Sequence, residues 1–198
     1  MQTNNNVSFK ATRLGMVKVP AKIDKQWKEI PMSFVRLHAK ENPSDRLALE
    51  EVKNLWNGKN LSASMQEQSA ICNDPVFAIT TQSANFRNLD PKKIKALMTT
   101  NRFEKGADTA EIFRIGVSPE HAYEQHKNKR EIKHLGSTLV KKFVEMINKK
   151  TNVERVVAVA QEPSEARFLQ KIKMPETGSN IRYQNFELKK EQFEDFLK

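Results

Sequence analysis

The sequence predicts an α/β protein with a central sheet, an antiparallel meander and flanking helices. Three observations predict it. Short runs rich in β-branched and aromatic residues recur at Val76–Thr81, Ile94–Thr100 and Ala110–Val117, each bounded by turn chemistry. The segment Leu135–Lys149 is strongly amphipathic, with Leu135, Leu139, Val140, Phe143, Val144 and Ile147 at helical spacings. A further apolar run, Arg155–Ala160, follows that helix, so the helix lies between two central strands.

The elements follow in chain order. Residues 1–31 carry short apolar alternations between lysines and prolines, and read as a basic N-terminal arm that adds an edge strand or docks on the body. The single domain then spans residues 32–198. Met32–Ala39 reads as its first central strand. Asn42-Pro43-Ser44-Asp45 opens a helix, because proline suits the first turn and Ser or Asp can cap it. Asn57-Gly58 closes it, and Leu61–Cys72 is a weaker helical stretch. Three successive strands with short connections then read as the meander. Pro119–Lys133 reads as a long, polar, basic loop. Beyond Arg155–Ala160, Ser164–Lys171 is a short helix, Ile181–Leu188 a last strand and Glu191–Leu197 a terminal helix.

The chain has 198 residues, a formal charge of +10 and one cysteine. That length suits one domain able to bury a core without staples. One cysteine excludes an intramolecular disulfide framework and a cysteine-based zinc finger, and makes Cys72 a free thiol, read as a small buried residue. No apolar run approaches a membrane span, and no basic stretch leads into an apolar one at the start, so a cytoplasmic protein without a membrane partner is expected. The charge is uneven. Residues 1–40 carry a net +6, residues 41–90 a net −3, residues 91–150 a net +7, and residues 151–198 balance. An anionic partner or plain solvated lysine faces both explain such clusters.

The sharpest feature is the stretch from Ala110 to Met146. A strand ends at Val117-Ser118-Pro119, and His134-Leu135-Gly136-Ser137-Thr138-Leu139 enters the strong helix. A helix start offers free backbone N–H groups and the positive end of a dipole, which suits a phosphate or pyrophosphate. Lys127, Lys129, Arg130 and Lys133 stand just upstream. The same residues also fit a plain helix start whose glycine serves close packing.

The order of strands and helices from Met32 to Leu188 resembles the GNAT acyltransferase superfamily. The family's cofactor motif is a strand ending Val-x-Pro, then Arg/Gln-x-x-Gly-x-Gly/Ala opening a helix. Val117-Ser118-Pro119 matches the strand end, and Gly136 holds the last glycine position. His134 holds the first glycine position, and Glu131 stands where Arg or Gln is expected, with Arg130 one residue away. The resemblance implies a mixed sheet with a splayed parallel pair formed by Ala110–Val117 and Arg155–Ala160. It implies acetyl-CoA or another acyl-CoA as co-substrate; no metal is expected, because His121, His126 and His134 lack the tighter spacing and further ligand of a zinc site. Its cofactor contacts would come from Ile115, Gly116, Val117, Arg130, Lys133, His134, Leu135, Gly136, Ser137 and Thr138. Ser164 and Phe168, on the helix after the second parallel strand, would add to them.

The resemblance also implies direct transfer of the acyl group to a primary amine. A glutamate on the family's corresponding strand often acts as general base, which points to Glu111, because the amine must lose a proton to attack a thioester. The bland reading of Glu111 is an exposed strand carboxylate paired with Lys or Arg. The tyrosine that often protonates the leaving thiolate is replaced by Leu169, leaving Tyr123 as the candidate acid. His121, His126 and His134 read as exposed loop histidines, and Trp27 and Trp56 as packing residues. The rival to an enzyme is a catalytically degenerate GNAT-like domain that binds a nucleic acid or protein through its basic surface. A weaker rival is a relative of the acyl-homoserine-lactone synthases. The family also suggests a homodimer.

Overall fold

The computed structural model describes residues 11–56, 67–68, 70–103, 106–122, 129–180 and 182–198. An eight-stranded sheet runs in the order β1-β2-β3-β4-β5-β6-β8-β7. Its strands are β1 (Thr12–Ile23), β2 (Gln26–Leu37), β3 (Val76–Thr80), β4 (Ile94–Thr100), β5 (Thr109–Val117), β6 (Arg155–Ala160), β7 (Glu176–Ser179) and β8 (Gln184–Lys189). The described helices include α1 (Pro43–Trp56), α2 (Leu135–Lys150), α3 (Pro163–Lys171) and α4 (Phe193–Leu197). Neighbouring strands are antiparallel, except for the parallel pair β5–β6.

The expected meander is β3–β4–β5, and α2 and β6 fall where the apolar spacing put them. The start of the chain adds the edge strand that was one of its two expected forms, with other bounds. From Thr12 onward the expected arm is β1 and the first half of β2, and β2 runs straight through position 31, where the arm was expected to end. Val17, Val19 and Ala21 of β1 are buried in the core. The hairpin turns on Asp24-Lys25, both at positive φ (50° and 65°), the left-handed pair of a two-residue turn that matches strand twist. The last strand is also corrected. It begins at Gln184, and the exposed β7 precedes it.

Two apolar layers hold the sheet. On one face Leu49, Val52 and Trp56 of α1 pack on Val35, Val76, Ala78 and Leu97. On the other, Leu139, Phe143 and Ile147 of α2 pack on Phe34, Phe77, Met98, Ala110 and Ile112, joined by Phe193 and Phe196 of α4. Rings of Phe77, Phe103 and Phe143 meet at centroid distances of 5.2–6.5 Å. Phe143 has no exposed surface, and such a side chain contributes roughly 1.5–3 kcal/mol by burial.

β5 is shaped by one irregularity. Thr100 pairs with Ile112 but Thr99 pairs with Arg114, so Phe113 is an extra residue in the strand. The bulge swaps the strand's faces. Ala110 and Ile112 point to α2 before it, and Ile115 and Val117 pack on the same layer after it.

Candidate active site

The parallel pair is incomplete, and this opens the site. β5 pairs with β6 only from Thr109↔Arg155 to Ile112↔Ala158. Beyond that, β5 continues to Val117 along β4, while β6 continues to Ala160 along β8. A wedge therefore opens between the strands, starting at the bulge. The register between the two strands ends at Ile112↔Ala158, so the later part of β5 faces the wedge rather than a β6 ladder. Arg114 spans it, donating from Nη2 to Gln161 Oε1 at 3.2 Å.

The N-terminus of α2 stands at the open end of this wedge. Its first intrahelical bond runs from Thr138 N–H to His134 O at 2.8 Å, so the N–H groups of Leu135, Gly136 and Ser137 have no partner within the helix. No side chain caps it, and no acidic residue lies in its first turn. His134 sits at φ 61° in the left-handed region, where glycine is free of strain and another residue pays roughly 1–2 kcal/mol. The position of the motif's first glycine thus keeps a glycine-like backbone under a histidine. The imidazole of His134 is held below its ordinary pKa by burial first, then by the charges of Lys171, Arg130 and Lys133. Of the four cations expected upstream of the helix, Arg130 and Lys133 lie near this imidazole, joined by Lys171.

The start of α3 is built differently. Glu162 and Glu165 form a capping box, and the Glu165 carboxylate accepts from Gln161 N–H at 2.8 Å. Carboxylates already neutralise that helix end. Ser164, in its first turn, therefore stands in an acidic setting unlike that of Ser137.

Gly136, Val117 and Phe168 come together. A β-carbon on Gly136 would lie 3.2 Å from the Phe168 ring and 3.6 Å from Val117 Cγ2. The glycine thus permits close packing of α3 against the start of α2. The side of Gly136 is covered by Phe168, while the helix-end N–H groups point along the axis.

Glu111 is half-buried on β5, on the face away from α2, and its main chain is fixed by Asn101. Glu111 N–H donates to Asn101 Oδ1 at 2.8 Å, and Asn101 N–H donates to Glu111 O at 3.0 Å. It shares a rung with Val157 and Glu187 on the neighbouring strands. Ile115 and Gly116 lie beside the wedge on the same strand. Tyr123, His126 and Lys127 lie outside the described residues. Leu169 is buried in the core.

Three smaller expectations are corrected. Cys72 is exposed, not buried. His121 is 6% exposed rather than a solvent-facing loop residue. Trp56 is a packing residue, but Trp27 is 43% exposed, with Lys133 Nζ 3.7 Å from its ring centroid. Two cavities lie at the far end of the sheet, away from the start of α2. One, of about 370 Å³, is lined by Phe77, Phe103 and Met146 among others, and one of about 260 Å³ lies beside His38 and Arg102. Among the described residues, no helix is long and apolar enough to cross a membrane.

The topology is that of the GNAT acetyltransferases. A protein of Desulfovibrio desulfuricans described as an acetyltransferase of the GNAT family superposes with a TM-score of 0.55 at 12% identity, covering 80% of this chain and 99% of that one. The spermidine N-acetyltransferase of Vibrio cholerae, in complex with CoA and spermine, superposes with a TM-score of 0.50 at 15% identity, covering 75% and 93%. No protein-family model and no curated protein matches the chain. At such identity the likeness defines the fold, and the chain has the GNAT fold.

Proposed function

We propose that the chain is an N-acyltransferase that moves an acetyl or other acyl group from acyl-CoA to a primary amine by direct attack. The observation that carries this reading is the wedge between β5 and β6 beside an uncapped, cation-ringed helix start. One feature can take a pantetheine arm and the other a pyrophosphate. The Vibrio cholerae structure that holds both CoA and spermine on this fold supports the pairing of an acyl carrier with an amine.

Bound acyl-CoA supplies the thioester carbonyl. The N–H groups of Gly136 and Ser137, with Arg130, Lys133 and Lys171 nearby, hold the phosphates. Ile115, Gly116 and Val117 guide the arm along the edge of β5 that faces the wedge. A β5 N–H facing the wedge polarises the carbonyl. Glu111 accepts the amine's proton, directly or through water, as the C–N bond forms and the C–S bond breaks. The leaving thiolate takes a proton from solvent or from Tyr123. Holding amine and thioester together supplies much of the rate.

Calorimetry with acetyl-CoA checks the binding half, and saturable one-site binding is expected. Glu111→Gln is expected to leave that affinity nearly unchanged while lowering acetyl transfer to an amine on the order of 100-fold. The second reading is a catalytically degenerate domain that binds a nucleic acid or protein through its basic surface. That reading gains if no acyl-CoA binds.

A further inference from the structure

We propose that the β1–β2 hairpin is the outer wall of the cofactor site, and that Trp27 is the platform on which the purine base of the acyl carrier stacks. This rests on the acyl-CoA reading above and adds residues to it that the motif does not contain.

The hairpin and the entrance of α2 are one unit. Lys133 N–H donates to Pro20 O at 2.9 Å, and Lys22 N–H donates to Glu131 O at 2.7 Å. Ala21 and Ile132 form an antiparallel bridge between these two bonds. The segment that leads into the helix is thus stitched along the outer edge of β1. Trp27 sits at the start of β2, directly across the hairpin from Lys22. Its indole is 43% exposed, in contrast to the 3% of Trp56.

Lys133 joins the two sites. Its backbone immediately precedes the N-cap of α2, and its ammonium lies 3.7 Å from the indole centroid. One lysine side chain therefore measures the distance from the helix start to the ring. That is also the scale separating the phosphates of a nucleotide from its base. A cation over an exposed indole marks a flat, electron-rich face, and the same face suits a purine. When the base takes the ring, the ammonium is released toward the phosphates beside it. Lys22, on the indole's own face of the hairpin, and Lys25, in the turn, border the surface where the nucleotide's 3′-phosphate would lie. The positive charge of the N-terminal region thereby gains a ligand.

The test uses the full chain and 3′,5′-ADP, which carries the base and phosphates without the pantetheine arm. Saturating 3′,5′-ADP is expected to change the emission of exposed Trp27 against the constant signal of buried Trp56. Trp27→Ala is expected to weaken 3′,5′-ADP by ~10-fold or more, the usual range for loss of a base–aromatic stack. Trp27→Tyr is expected to recover most of that loss. Acetyl-CoA bound equally well by wild type and Trp27→Ala, or no emission change with 3′,5′-ADP, overturns the proposal and leaves the acyltransferase reading standing. Failure of the wild type to bind acetyl-CoA removes both.

Discussion

The starts of α2 and α3 flank the same wedge, yet they are finished in opposite ways. α3 is closed by its own carboxylates, with Glu162 and Glu165 reciprocating across a capping box. α2 has neither a side-chain cap nor an acid in its first turn, its N-cap His134 is left-handed, and cations surround it. A helix built only for stability would be expected to resemble α3. On the acyl-CoA reading the difference marks where an anion would be received, and it separates the residues that hold the fold from those that would hold a ligand.

The strongest way to break this contrast is to give α2 an acidic first turn. Ser137→Asp places a carboxylate near the free N–H groups, which favours the helix by roughly 0.3–1 kcal/mol. The same charge repels phosphate. Acetyl-CoA affinity is expected to fall on the order of 100-fold while the thermal midpoint holds or rises, a divergence measured by calorimetry and melting. If both fall together, the site reading loses its support.

α1 supplies a control with a buried acid. Asp45 is fully buried in its first turn, accepts from His38 N–H at 2.8 Å, and has its pKa raised to about 6, chiefly by burial. Its folded pKa lies above the unfolded value near 3.8. Between those values the folded state binds more protons than the unfolded one, so this group's contribution to stability falls as pH rises from about 4 to 6, then levels off. The span is at most about 3 kcal/mol. Urea midpoints across that range should show a flatter profile in Asp45→Asn, with acetyl-CoA affinity at pH 7 unchanged.

The smallest effect belongs to α3. Glu165→Ala removes half of the capping box and is expected to cost about 1 kcal/mol, read from the urea midpoint, with little change in acetyl-CoA affinity. A large loss of affinity would place the anion at α3 instead.

These features differ in how far the sequence alone reveals them. α2 is legible because six apolar residues recur at helical spacing, and β3–β5 because their apolar runs are short and punctuated. The β1–β2 hairpin is harder to read. Its Asp24-Lys25 turn lacks the Asn-Gly or Gly-Gly signal of left-handed turns, and the lysines of its exposed face dominate its composition. β7 carries no apolar alternation because all four of its residues are exposed. At the site, the helix start and strand end are visible as a motif. The contact of Phe168 with Gly136, the wedge and the Lys133–Trp27 stack join residues distant in sequence, and only the folded chain brings them together.

A crystal structure with bound acetyl-CoA decides where the anion is received. The pyrophosphate is expected within hydrogen-bonding distance of the Gly136 and Ser137 N–H groups, with the thioester in the wedge between β5 and β6. A pyrophosphate seated at α3, or a cofactor bound away from the wedge, would contradict that placement.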